Sequence, residues 1–180
     1  MKGIIFNIAE SFIVENHGED VFDDIIANCQ LETKEPYVGP GTYSDNDMLE
    51  ILRVATDKLG VETTTILRLL GQFTFGQLAS RYPNFVTHHT NPKTFLMTVD
   101  GVIHVEVRKL YQGTQLPIFQ YHDTAEDQLT ITYYSKRKLY TFMEGLIQGV
   151  ADHFKVQIDQ THEIFEKEGE EFCDFHLKFS

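Results

Sequence analysis

Apolar side chains return at helical spacing through most of the first 110 positions and tend to alternate with polar ones through much of the remainder. Ile4, Ile5, Ile8, Phe12 and Ile13 form the first helical run, and His17-Gly18 ends it. Val21, Phe22, Ile25 and Ile26 mark a second, shorter helix. The segment Tyr37-Val38-Gly39-Pro40-Gly41-Thr42 is rich in helix breakers and reads as a loop. Ser44 followed by Asp47 reads as an N-cap. Met48, Leu49, Leu52, Ala55 and Leu59 continue it as an amphipathic face that Gly60 closes. Thr63 to Leu78 is another helix, with Gly71 in its interior, where glycine costs about 1 kcal/mol against alanine. A tight packing contact and a flexible point between lobes both account for that glycine. Pro83 and Pro92 punctuate the next loop. From Lys93 to Tyr111, Phe95, Leu96, Val99, Val102, Ile103, Val107 and Leu110 predict one or two helices, broken near Asp100-Gly101.

The second half changes character. Leu116 to Tyr121 and Gln128 to Ser135 alternate like strands, joined through residues 123–127. Lys138 to Lys155 returns to helix. Val156 to Phe165 and Glu171 to Phe179 form a closing hairpin over residues 167–170. Helices, hairpin, helix, hairpin is the order of an α+β fold with an antiparallel sheet, not of a doubly wound parallel one. The 180 residues suit one domain, 1–180. It divides into a helical N-terminal lobe over roughly 1–65 and a C-terminal lobe of sheet and helices over 66–180.

Composition narrows the function classes. A formal net charge of -12 disfavours nucleic acid and anionic membrane surfaces, which need clustered Lys and Arg. No stretch approaches the roughly 20 apolar residues that span a bilayer. The N-terminal apolar run is broken by Asn7 and Glu10, too early for a signal-peptide core. The two cysteines, Cys29 and Cys173, form no CxxC or CxxCH and fit a reducing cytoplasm. The 14 Phe and 8 Tyr promise a ring-rich core, which also suits a flat apolar ligand.

Two places carry candidate chemistry. In Leu129-Thr130-Ile131-Thr132-Tyr133-Tyr134-Ser135-Lys136-Arg137, strand alternation puts Tyr133, Ser135 and Arg137 on the face of Leu129 and Ile131. An inward arginine is costly unless an anion meets it, and its planar fork holds a carboxylate with two parallel hydrogen bonds. Either three donors hold a carboxylate ligand at a pocket mouth, or the strand end emerges into solvent with Arg137 paired to an acidic residue. The second place is Val102 to Tyr111, where His104, Val107 and Tyr111 share a helix face. A histidine there is either a satisfied core residue or a proximal haem ligand.

These residues, in this order, resemble a family. Ile103-His104-Val105-Glu106-Val107, then Lys109-Leu110-Tyr111, then Pro117, then Tyr133-x-Ser135-x-Arg137 is similar to the haem nitric oxide/oxygen binding (H-NOX) family. That family includes the haem domain of soluble guanylate cyclase. Met1 to Asn7 and Gly71-Gln72-Phe73 are also similar to bacterial members, and the likeness covers essentially the whole chain.

The resemblance implies one haem b (iron protoporphyrin IX) buried between the lobes, with His104 as proximal iron ligand. Tyr133, Ser135 and Arg137 would bind the two propionates, and Pro117 would press on the porphyrin. Ile4, Ile5, Phe75, Leu78, Phe142 and Leu146 would form pocket walls. Members that hold oxygen stably place a tyrosine hydroxyl over the ligand. Phe142 stands at that position here and cannot donate, which implies binding of nitric oxide and CO without stable oxygen. NO would weaken the bond opposite it and release His104, and the helix carrying His104 could then shift. No effector segment follows the last strand, so a partner in trans is expected: a histidine kinase or a cyclic-di-GMP enzyme, in a bacterium. The pattern is that of a sensor, not an enzyme. Three rivals stay open: an oxygen-binding haem sensor, a peroxidase-like haem enzyme, which would need a distal acid–base pair, and a haem-free pocket for an acidic apolar ligand held by Arg137. His162, Cys173 and His176 lie where some relatives bind zinc. Leu139 and Phe165 stand at or near those relatives' cysteine positions, so no zinc is expected.

Overall fold

The computed structural model describes residues 1–111 and 113–180; the side chain of Leu110, assigned above to an apolar helix face, lies outside the described residues. Four helices open the chain: α1 (Gly3–His17), α2 (Glu19–Ala27), α3 (Asp45–Leu59) and α4 (Thr63–Arg81). After a short turn come α5 (Pro92–Thr98), a π-helical turn (Val99–Ile103) and α6 (His104–Leu110). The π turn falls on the Asp100-Gly101 break. Strands β1 (Ile118–Ala125) and β2 (Gln128–Tyr134), helix α7 (Tyr140–Phe154) and strands β3 (Ile158–Lys167) and β4 (Glu170–Phe179) complete the chain. The sheet runs β1-β2-β4-β3, every neighbouring pair antiparallel. The fold is α+β, as the element order predicts.

Local differences have local causes. Ser44 does cap α3, its Oγ accepting from the Asn46 amide at 3.2 Å. Asp47 takes no part in the cap. It is 1% exposed and accepts from the amides of Glu32 (2.7 Å) and Thr33 (3.2 Å) and from the Tyr37 hydroxyl (3.0 Å). It thus satisfies the loop before α3 instead of the helix end. β1 runs to Ala125, beyond the predicted Tyr121. The far end of that hairpin is pinned by Lys93, 8% exposed, whose Nζ donates to Asp123 Oδ1 (2.5 Å) and to the carbonyl of Ala125 (2.6 Å). At the other end β2 stops at Tyr134, paired with Ile118, because the next residue opposite is Pro117, which has no amide to donate.

The described hydrophobic residues gather in two cores. One is built from α1, α2 and α3 with Ile66 and Leu70 of α4; the other combines the sheet with Phe75, Phe95, Met143 and Ile147. α4 and α7 cross backbone against backbone. A Cβ on Gly71 would lie 2.2 Å from the Phe142 carbonyl oxygen, and one on Gly145 would lie 2.0 Å from that of Arg68. Gly71 is therefore a close-packing glycine, matched by a partner in α7 that its own sequence context did not disclose. Beside the crossing, Glu144 meets Arg68 Nη2 at 2.6 Å and His162 Nδ1 at 2.8 Å, so α4, α7 and β3 share one polar clasp.

Candidate functional site

A cavity of about 780 Å³ is enclosed by α1, α4, α7, the π turn with α6, and the near ends of β1 and β2. That volume lies within the roughly 300–1,000 Å³ range of small-molecule and cofactor sites. Ile4, Ile5, Phe75, Leu78, His104, Pro117, Tyr133, Ser135, Arg137, Phe142 and Leu146 all line it. Residues far apart in the chain are thus brought to one apolar space.

His104 opens α6, directly after the π turn, and its side chain is 12% exposed. Its ring lies 5.3 Å from that of Phe119 on β1. Nδ1 lies 3.3 Å from Asp100 Oδ1, one helical turn earlier. Burial pulls the imidazole pKa down, and the Asp100 carboxylate and the Pro117 carbonyl only partly offset it, so the net shift is downward. The ring is neutral near pH 7. A proton on Nδ1, facing Asp100, would leave the Nε2 lone pair for a metal.

The polar end is built differently from the expected strand face. Tyr133 ends its inward run on β2 and is buried, which raises its hydroxyl pKa and keeps the proton in place. Ser135 and Arg137 lie past the end of β2, in a turn closed by Lys138 N–H donating to the Ser135 carbonyl at 3.1 Å. Ser135 Oγ accepts from the Arg137 amide at 3.2 Å. Arg137 Nη1 donates to the Gln115 carbonyl at 2.7 Å, while Nε stands 2.7 Å from Asp45 Oδ2. That last contact is an ion pair without hydrogen-bond alignment. Burial pushes the Asp45 carboxyl up, but the Met1 ammonium and Arg137 outweigh it and its pKa is lowered. Arg137 thus lines the cavity and is also paired to an acid, so each of its two sequence readings is partly realised.

An apolar cavity with one neutral imidazole in a wall and a guanidinium with two hydroxyls at an edge matches a flat metal macrocycle bearing carboxylates. A sequence model described as haem-NO-binding matches residues 2–162. The chain belongs to the H-NOX family. Its fold is shared by the H-NOX protein of S. oneidensis solved in an Fe(II)NO ligation state. That match has 29% identity and a TM-score of 0.91, covering 100% of this chain and 99% of the other. The unliganded Fe(II) H-NOX protein of K. algicida matches at 28% identity and TM-score 0.89, covering 100% and 97%. A variant of the T. tengcongensis H-NOX protein matches at 25% identity and TM-score 0.88, covering 100% and 98%. H-NOX domains are haem-based gas sensors, so the cavity fits the family's cofactor.

The remaining walls of this H-NOX cavity are mostly aliphatic and aromatic. Tyr140 turns away from it and donates to Glu171 Oε1 at 2.6 Å. Five other tyrosines do line it: Tyr43, Tyr82, Tyr111, Tyr121 and Tyr133. Thr74 on α4 lines it too, 1% exposed, with no partner for its hydroxyl among the described residues. Some helical threonines, by contrast, bond back to their own backbone, Thr56 to Arg53 and Thr98 to Phe95, each at 2.7 Å. Asp45, Asp100 and Thr74 were not singled out from sequence. Asp100 carried a signal, lying four residues before His104 on a helical stretch; Asp45 carried none, because its partner is remote in sequence. Away from the cavity, Cys173 is buried in β4, and His176 Nδ1 lies 3.1 Å from Thr130 Oγ1.

Proposed function

We propose that this H-NOX domain holds one haem b, senses nitric oxide and CO, and passes the signal to a separate protein. The observation that carries the reading is a buried His104 in the wall of the same apolar space as Tyr133, Ser135 and Arg137. His104 would ligate the iron through Nε2. Arg137, Ser135 and Tyr133 would hold the two propionates, Arg137 exchanging part of its contact with Asp45 for a propionate. Pro117, in the wall beside Phe119, would bear on the macrocycle. Ile4, Ile5, Phe75, Leu78, Phe142 and Leu146 would exclude water.

The iron supplies the gas-binding position when haem is present. His104 is the residue that reads it: as the first residue of α6, it would transmit loss of its iron bond into the π turn and α6. A contact surface on a histidine kinase or cyclic-di-GMP enzyme would read that shift, as H-NOX domains commonly signal to partner proteins. The two unpaired thiols, Cys29 and Cys173, speak for a reducing, cytoplasmic setting.

Selectivity against oxygen rests on Phe142, which has no proton to donate. The test is to reduce the protein, expose it to air and record the visible spectrum. Direct oxidation without a stable, CO-reversible change supports the reading. A long-lived oxygen spectrum overturns the selectivity and favours the second reading, an oxygen sensor, for which the unpartnered Thr74 hydroxyl is the specific observation. Abolition of such a spectrum by Thr74→Val would assign the donor.

A further inference from the structure

We propose that Tyr121 is a positioning residue for His104, acting through the π turn and the carboxylate of Asp100. This rests on the reading of His104 as the iron ligand. Tyr121 and Phe119 are two residues apart on β1 and so share a face of the strand, with ring centroids 6.4 Å apart. Phe119 packs against the His104 ring, 5.3 Å between centroids. Tyr121 reaches further along the same helical segment: its hydroxyl oxygen accepts the Asp100 amide at 3.2 Å. The side chain of that same Asp100 lies 3.3 Å from His104 Nδ1. Sheet, phenol, π turn, carboxylate and imidazole therefore form one connected chain.

The π turn makes the tie matter. It winds more widely than an α-helix, and π turns occur mostly as single insertions at functional sites. This one spans Val99–Ile103 and is closed by the His104 amide donating to the Val99 carbonyl. Gly101 within it has no neighbour among the described residues within 4 Å of its Cβ position. The hydrogen bond from the rigid sheet fixes the backbone at Asp100, and so the point from which its carboxylate reaches the imidazole. A carboxylate on Nδ1 selects the tautomer with a free Nε2 and makes that nitrogen a stronger donor to iron. Tyr121→Phe keeps the ring in the cavity wall and removes the hydroxyl that anchors Asp100.

The readout is the iron–histidine stretching frequency of the reduced, ligand-free holoprotein, by resonance Raman. Tyr121→Phe and Asp100→Asn are each expected to lower it. The double variant should fall no lower than Asp100→Asn alone, because the two act in series. A Tyr121→Phe frequency equal to wild type, or additive shifts in the double variant, overturns the proposal. A band that survives His104→Gly instead overturns the haem-ligand reading itself. A second readout needs no haem. Nitrogen-15 shifts of the His104 ring in the haem-free chain should show a larger share of the Nδ1-protonated tautomer in wild type than in Tyr121→Phe. Identical tautomer populations in the two proteins would count against the tie.

Discussion

Arg137 Nε stands 2.7 Å from Asp45 Oδ2, joining the turn after β2 to the first turn of α3. The guanidinium already serves the Gln115 carbonyl through Nη1. A ligand carboxylate arriving at this edge competes with Asp45 for the same cation, so binding there bears on the contact between the two segments.

Arg137→Gln should accelerate haem transfer to an acceptor apoprotein by roughly ten- to a hundred-fold, since a hydrogen bond to a charged group contributes about 1.5–3 kcal/mol. Arg137→Lys should recover only part of this, because an ammonium lacks the planar fork. The transfer rate followed at the Soret band decides; a wild-type rate in both variants removes Arg137 from the site.

His104→Gly deletes an imidazole from a wall of the cavity and leaves space of its shape. The purified variant should carry little haem, and free imidazole during reconstitution should restore the Soret absorbance. Full haem retention without imidazole would place the iron ligand elsewhere.

Glycines of α4 should part in sign. Gly71→Ala drives a methyl into the Phe142 carbonyl at 2.2 Å. The expected cost is about 1–3 kcal/mol, with Tm falling about 2–4 °C for each kcal/mol in a domain of this size. Gly76 on the same helix has nothing among the described residues within 4 Å of its Cβ position. Gly76→Ala should stabilise by about 0.4–1 kcal/mol. Thermal melts of the two variants side by side test the crossing.

Asp47 sets part of the acid response. Burial raises its pKa, but its hydrogen bonds from the Thr33 side chain, the Glu32 amide and Tyr37 prevail and the net shift is below the ordinary 3.8. A depressed folded-state pKa means stabilisation that is complete above the unfolded value and lost as pH falls through the folded one. Asp47→Asn should therefore lower stability near neutral pH by about 1–3 kcal/mol. It should also flatten the fall of stability below about pH 4. Denaturant titrations across that range measure both.

Much of the fold was legible because its signals are local. Ile4 to Ile13 hold a helical phase, Gly18 and Gly60 adopt the positive φ that ends α1 and α3, and Glu168-Gly169 make the two-residue turn of the last hairpin, both at positive φ. The break at Asp100-Gly101 was visible too, although spacing alone could not show that it is a π turn leading into His104. What escaped depends on distant partners. Asp47 looked like a cap residue, since nothing near it announces the loop that it satisfies. Alternation puts Ser135 and Arg137 on a strand face, whereas Pro117 opposite ends the strand and a turn presents them. Gly71 was ambiguous until Gly145 stood against it.

α4 threads both hydrophobic cores, giving Ile66 and Leu70 to one and Phe75 to the other. Phe142 of α7 packs on the first while its neighbour Met143 belongs to the second. The two cores therefore share α4 and α7, and loss of either helix removes side chains from both. This coupling is expected to merge their unfolding into one cooperative transition. Damage at either end of α4 lowers the stability of the whole.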